Sequence, residues 1–265
     1  MRFSIITYAK IMIYAIKNKS VWEYIDLKKQ KDLDKKKSNR KKEYFKNEIT
    51  PETLIKEQFP MQENDKNVLE DLEKQIDEFI KSQQTKKYPS KENPYPVSFG
   101  LGKNVGRLLY CLVKKTQPDL IVETGVANGF SSAYLLLALN SIDKGKLISI
   151  DYLFMPWHTR QMVGRAIPKK LMNRHELIFG KAMLEIKKLI KKYPKFDFFI
   201  HDSSHVYKHM MDEYEIAWDQ IKDGGYLLSD DISQNDAFLD FADKVSRKPI
   251  VVRKSEENHF GIIQK

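Results

Sequence analysis

The feature that most constrains this chain is an alternation that begins near residue 97 and runs almost to its end. Short apolar runs, LIVET (120–124), KLISID (146–151), HELIFG (175–180), FDFFIHD (196–202) and GYLLSDD (225–231), read as strands. Helical stretches separate them: 105–116, 131–142, roughly 158–173, 182–193 and 206–222. A helix between successive strands makes a crossover, so the strands pair in parallel and helices cover both faces of the sheet. The ending differs. After a helix near 235–246, PIVVRK and FGIIQK are separated only by SEENH, a spacing that suits a closing hairpin with one antiparallel strand. The expected fold is α/β: a doubly wound, mostly parallel seven-stranded sheet whose last strands form an antiparallel hairpin.

Upstream the character changes, and the sequence divides into a helical, basic extension with linker (1–95) and an α/β domain (96–265). NVLEDLEKQIDEFIKSQ (67–83) repeats its apolar residues at helical spacing, and KKYPSKENPYPVSFG (86–100), with three prolines, reads as an extended linker. MRFSIITYAKIMIYAIKNK is apolar, but Lys10 interrupts it and no small-residue cleavage site follows, so it reads as an amphipathic helix rather than a signal peptide. Such a helix packs on the body or a partner, or lies on a membrane surface. From Lys28 to Lys46 ten basic residues face three acids within a chain of formal charge +10. The bland reading of that run is a solvated face. No aromatic platform or nucleic-acid motif accompanies it, so nucleic acid is not an expected partner. A single cysteine, Cys111, excludes an internal disulfide and suits a reducing, cytoplasmic compartment. No apolar run approaches the roughly 20 residues that cross a bilayer.

In an open α/β sheet ligands bind beyond the carboxyl ends of the strands. Those ends carry Glu123, Asp151, Asp202 and the pair Asp230–Asp231. The first strand runs into ETGVANGFSS, where Gly125 and Gly129, with small Ala127 between, allow a tight turn and close approach to a ligand. The next helix directs its N-terminal amides into the same space, and Asp151 can accept hydrogen bonds from ribose hydroxyls. A dinucleotide turn normally reads G-x-G-x-x-G to admit a pyrophosphate. This turn reads G-V-A-N-G behind Glu123, whose carboxylate would repel pyrophosphate but suits a cofactor with a cationic amino-acid end. S-adenosylmethionine is therefore favoured over a dinucleotide.

Taken in order, VETGVANGFSS, LISID, FDFFIHDSSH and DGGYLLSDD resemble the class I S-adenosylmethionine-dependent methyltransferases, nearest the branch of O-methyltransferases that act on sugars and other natural products, some with a divalent metal. The resemblance covers about residues 97–265. It implies a Rossmann-like fold, with Glu123, Gly125, Ala127 and Gly129 in the cofactor turn, Asp151 on the ribose and Gly180 near the adenine. The family often has Asp, Asn or Ser after that last glycine, where this chain has Lys181 and Ala182.

The stretch FDFFIHDSSHVYKHMMDEY (196–214) admits three chemistries. A Ser–His–Asp hydrolase would need a G-x-S-x-G elbow that Ser203 and Ser204 lack. A zinc site could use His205 and His209 with Asp212, but lacks the H-E-x-x-H glutamate. In the methyltransferase reading Asp202, Asp230 and Asp231 converge as ligands for Mg²⁺ or another hard divalent cation, which would acidify an acceptor hydroxyl. His205 then matches the family histidine that resembles a general base; His201, pointing to the other face by strand alternation, is the weaker candidate. The expected activity is O-methylation of a small hydroxylated molecule such as a sugar or glycan unit. The competing readings are a non-catalytic module that binds a cofactor or partner through the basic N-terminal region, and an NAD-dependent oxidoreductase. Further expectations are a homo-oligomer and peripheral membrane contact through the N-terminal segment.

Overall fold

In the computed structural model, which describes residues 4–265 apart from the side chain of Lys37, the alternation becomes one eight-stranded sheet. In chain order the elements are α1 (Ile5–Lys17), α2 (Val21–Lys37), α3 (Lys41–Lys46), β1 (Glu48–Ile49), α4 (Pro51–Gln58), α5 (Glu63–Gln84), α6 (Lys103–Thr116), β2 (Leu120–Thr124), α7 (Phe130–Ser141), β3 (Lys146–Asp151), β4 (His175–Phe179), α8 (Ala182–Lys192), β5 (Phe196–His201), α9 (Tyr207–Trp218), β6 (Ile221–Ser229), α10 (Ala237–Lys244), β7 (Ile250–Arg253) and β8 (His259–Gln264). The sheet order is β1-β7-β8-β6-β5-β2-β3-β4. Strand β8 pairs antiparallel with β6 and β7, and the other pairs are parallel. The mostly parallel sheet and the closing hairpin are as the spacing predicts. The eighth strand is β1, two residues of the N-terminal region that pair with the edge strand β7.

Side chains that alternate along each strand feed two cores, one on either face. Ile121, Leu147, Phe198, Ile200 and Leu228 pack toward α5, α6 and α7. Leu120, Val122, Ile148, Ile150, Phe199 and Leu227 pack toward α8, α9 and α10. Both faces being covered explains why these strands read as unbroken apolar runs. The long helix α5 is bound to α6 by polar pairs: Arg107 meets Glu73 with two hydrogen bonds of 2.7 Å, and Tyr110 donates to Asp65 at 2.8 Å.

Residues 158–173 do not form the expected helix. They make two short 3₁₀ turns, Arg160–Met162 and Lys169–Arg174, separated by Gly164 in a left-handed conformation and by Pro168. Their amides serve the glycine turn instead: Gly164 donates to the Ala127 carbonyl and Ala166 to that of Asn128, both at 2.9 Å.

Candidate active site

The strand order reverses between β2 and β5, which places the carboxyl ends of those strands at the switch point of the sheet. Here the chain crowds. Gly125, with φ of +83°, lies so close to β5 that a Cβ on it would sit 1.9 Å from the Asp202 carbonyl oxygen. No other residue fits there. Asp151, leaving β3, turns its carboxylate back onto the glycine turn and accepts from the amides of Val126 (2.9 Å) and Ala127 (3.1 Å). Burial pushes its pKa up to about 6 against the pull of those amides. Gly129 opens α7 with φ of +85°, and Gly180 follows β4, its amide bonded to the Asp151 carbonyl.

Glu123, expected at the cofactor turn, is tied into the body behind it. Its carboxylate is fully buried and accepts from Ser131 (2.5 Å), Ser132 (2.6 Å) and Ser149 (2.8 Å). Burial pushes its pKa up to about 7. With both oxygens engaged, it pins the start of α7 to β2 and β3 and so sets the shape of the turn from behind.

Beside Asp151 lies a small apolar cluster of Tyr95, Val126 and Val163, with Ala127, Leu153, Leu177 and Phe179 packed against it. Tyr95 comes from the proline-rich segment expected to be a linker. Its ring lies 4.5 Å from that of His158, and its hydroxyl is buried without a partner among the described residues. Helix α2 borders the same rim. Glu23 pairs with Lys181, Tyr24 stacks on Phe154, and Asp34 accepts the Tyr207 amide at 2.9 Å, at the start of α9.

On the β5 side, Asp202 and His205 form a pair: Asp202 Oδ1 lies 3.6 Å from His205 Nε2, an ion-pair distance rather than a hydrogen bond. Burial pulls the His205 pKa down, but Asp202, Asp231 and Asp230 outweigh it and the net shift is upward. Beneath this pair sits a hub that the sequence reading missed. Glu213, fully buried on α9, lies 2.6 Å from Thr124 Oγ1, 2.8 Å from His201 Nδ1, 2.7 Å from His209 Nε2 and 2.9 Å from Ser203 Oγ. Burial would raise its pKa, yet the two histidines hold it well below the usual carboxylate range. Ser203 and Glu213 both approach the same His209 nitrogen (Ser203 at 3.1 Å), whereas a hydrolytic triad needs serine and acid on opposite nitrogens. The triad reading fails on that point. His201 belongs to the hub, its ring 5.5 Å from that of His205.

The acids leaving β6 are matched by a lysine. Lys254, just past β7, places its ammonium 2.5 Å from Asp230 Oδ2 and 2.9 Å from Asp231 Oδ1, and it is largely buried there. Asp230 is pushed up to about 7 by burial and by Asp202, against the pull of Lys254.

Residues 122–232 match the family model of a methyltransferase domain. Solved structures with the same fold include an O-methyltransferase from Bacillus cereus in complex with SAH (14% identity, TM-score 0.55, covering 84% of this chain and 100% of that one). Another is the SAH-bound Podospora anserina methyltransferase PaMTH1 (14%, 0.53, 78% and 97%). A third is the O-methyltransferase TomG from Streptomyces achromogenes, involved in tomaymycin synthesis and solved with SAM (15%, 0.53, 83% and 97%). No curated protein matches the sequence. The resemblance to class I S-adenosylmethionine-dependent methyltransferases, read from VETGVANGFSS and FDFFIHDSSH, is borne out by this match and by the shared fold.

Within this region the expected metal ligands do not assemble. Among the described residues no group of three or more His, Cys, Asp or Glu side chains could hold a metal ion. Asp202 turns toward His205, while Asp230 and Asp231 share the Lys254 ammonium, which stands where a cation bridging the pair would sit. Zinc fares no better, since Asp212 pairs with Lys208 at 2.5 Å and His209 with Glu213.

Proposed function

We propose that the chain is an S-adenosylmethionine-dependent O-methyltransferase whose acceptor is a small hydroxylated molecule, of which a sugar or glycan unit is one class. The observation that carries this reading is the Asp202–His205 pair, just past β5 beside Gly125 and one strand away from the Lys254-bound acids. The residues present suit the cofactor. Asp151 would take the ribose hydroxyls, the cluster of Val126, Leu153, Leu177 and Phe179 would offer an apolar wall for a base, and the Tyr95 hydroxyl, without a partner among the described residues, would be a polar group at that wall. S-adenosylmethionine, when bound, supplies an electrophilic methyl group. The protein's own task is then to align an acceptor oxygen with that methyl and to accept its proton. His205 is the group placed to accept it, with Asp202 stabilising the imidazolium that forms. In this reading Lys254 takes the place of the divalent cation in balancing the charge of Asp230 and Asp231.

Calorimetry of the full chain with S-adenosylmethionine and NAD side by side tests the cofactor: binding of the first and not the second is expected, and the reverse outcome would turn the reading into an oxidoreductase. His205→Ala should lower methyl transfer to a hydroxylated acceptor by about 10²–10⁴-fold while cofactor binding persists. A variant as active as the parent would remove His205 from the chemistry. Cofactor binding without transfer to any of a broad hydroxylated panel would favour the binding-module reading.

A further inference from the structure

Helix α1 packs against the body through one side, where Ile11 and Ala15 are buried and the Tyr14 hydroxyl donates to the Leu153 carbonyl at 2.8 Å. Its opposite side is apolar and bare. Ile5 (88% exposed), Ile6 (71%), Ile13 (55%) and Ile16 (64%), with Met12, fall within about 120° of the helix at its repeat of 3.6 residues per turn. Lys10 and Lys17 border one edge of that strip. Helix α2 follows after Ser20 and carries Trp22, 80% exposed, in its first turn; Ile25, Lys29 and Lys36 continue along the same face. Single exposed apolar residues are ordinary, but a contiguous strip of this kind marks an interaction surface.

The charge tells what kind. Residues 4–46 hold thirteen Lys and Arg against five Asp and Glu, a net +8 of the chain's +10, so the rest of the molecule is nearly neutral. The charged side chains that tie this region to the body include Glu23, Asp34 and Arg40, which pair with Lys181, the Tyr207 amide and the acids of α10. The lysines of α1 and of the first half of α2 stay exposed. Between α1 and the 87–91 loop a groove of ≈ 520 Å³ is lined by Lys10, Lys87 and Lys91 beside Ile6 and Thr7.

We propose that α1 and α2 form a docking surface for an anionic phospholipid bilayer, with α1 lying in the interface plane. An apolar strip bordered by lysines, next to an exposed tryptophan, has the two components that interfacial helices use: burial among acyl chains and attraction to anionic headgroups. The orientation follows from length. Thirteen residues span about 20 Å, short of the roughly 30 Å of a bilayer core. No helix among the described residues is long and apolar enough to cross a membrane. A second copy of the chain fits worse, because it would bring one +8 surface against another. Nucleic acid would use the lysines but leave the isoleucines without a role.

The test is co-sedimentation of the full chain with vesicles of phosphatidylcholine alone or with about one-third phosphatidylglycerol. The expected result is an anionic-vesicle partition about ten-fold or more above that for the neutral vesicles, weakened by high salt. The fluorescence of Trp22 should shift to the blue on binding and the shift should vanish in Trp22→Phe. The double variants Ile13→Ser/Ile16→Ser and Lys28→Glu/Lys29→Glu should each cut partition by a similar factor, with cofactor affinity and melting temperature as in the parent. Absence of binding to anionic vesicles at low salt would overturn the proposal. So would binding indifferent to the isoleucine changes, which would leave charge alone, or a dimer in solution that those changes dissolve, which would give the strip to a second copy.

Discussion

Inside the sheet body each buried carboxylate has its own set of partners: Glu123 three serine hydroxyls, Glu213 two histidines with Thr124 and Ser203, Asp230 the Lys254 ammonium. In α1 and α2 the arrangement is inverted, with isoleucines and a tryptophan outward and, among the described residues, lysines such as Lys10, Lys17, Lys28 and Lys29 exposed. The comparison separates two ways of using polar groups. In the body, removing one partner strands another in a medium where an unpaired charge is costly. On the N-terminal layer, water already covers what a substitution would uncover. Effects of mutation should therefore fall steeply from the hub outward.

The largest expected effect is at Glu213. Glu213→Ala leaves His201 and Thr124 buried without their acceptor, and should cost about 3–5 kcal/mol, near a 10 °C drop in melting temperature for a domain of this size. Glu213→Gln should recover part of it by keeping the Thr124 and Ser203 contacts. Thermal unfolding of both variants measures this; equal stability of Glu213→Ala and the parent would mean that the buried charges are matched elsewhere.

Next comes Lys254. If its ammonium substitutes for a divalent cation, chelator should leave methyl transfer by the parent unchanged. Lys254→Ala should expose a vacant acid pair that Mn²⁺ then stabilises, by about 2.7 kcal/mol at a hundred-fold excess over Kd. Melting curves with and without Mn²⁺ read this apart from activity. A parent enzyme stabilised by Mn²⁺, or silenced by chelator, would return the site to a metal.

Much of the body was legible in sequence for the same reason that it is sensitive. Strands covered on both faces leave continuous apolar runs, and their carboxyl ends expose Asp151, Asp202, Asp230 and Asp231 at one edge of the sheet. Partners set by tertiary approach were not legible. Lys254 is 24 residues from Asp230 and reaches it only because the β7–β8 hairpin docks on β6 through β8. Glu213 carried a signal, since His209 lies one helical turn before it, but nothing in the sequence announces the approach of His201 and Thr124. Tyr95 was hidden in a proline-rich segment that looked like linker. The helix expected over 158–173 failed because Gly164 and Pro168 outweigh its apolar spacing. For α1 the pattern shows apolar residues around much of the helix and cannot say which side the body covers.

A smaller effect is expected from Asp202. His205 must be neutral to accept a proton, and its neighbouring acids favour the protonated form, so its pKa lies above the ordinary imidazole value. Methyl transfer should therefore rise with pH through that raised value and be lost below it. Asp202→Asn removes the nearest of those acids, lets burial dominate, and should move the acid limb of the profile to lower pH. A limb that stays in place would mean that another group accepts the proton.

The smallest effect is the most discriminating for the N-terminal layer. Ile13 and Ile16 are more than half exposed in the folded chain, so changing both to Ser removes little buried area, and folding stability should stay within about 0.5 kcal/mol of the parent. Ile11, on the opposite side of the same helix and 2% exposed, should behave as a body residue: Ile11→Ala should cost about 2–5 kcal/mol of local packing. Proteolysis of residues 4–46 in the two variants measures the difference, because it follows the opening of this layer and not of the whole fold. Protection lost in Ile11→Ala but kept in Ile13→Ser/Ile16→Ser would establish that one face of α1 holds the helix to the body. The other face is then free for a surface that is not part of the molecule.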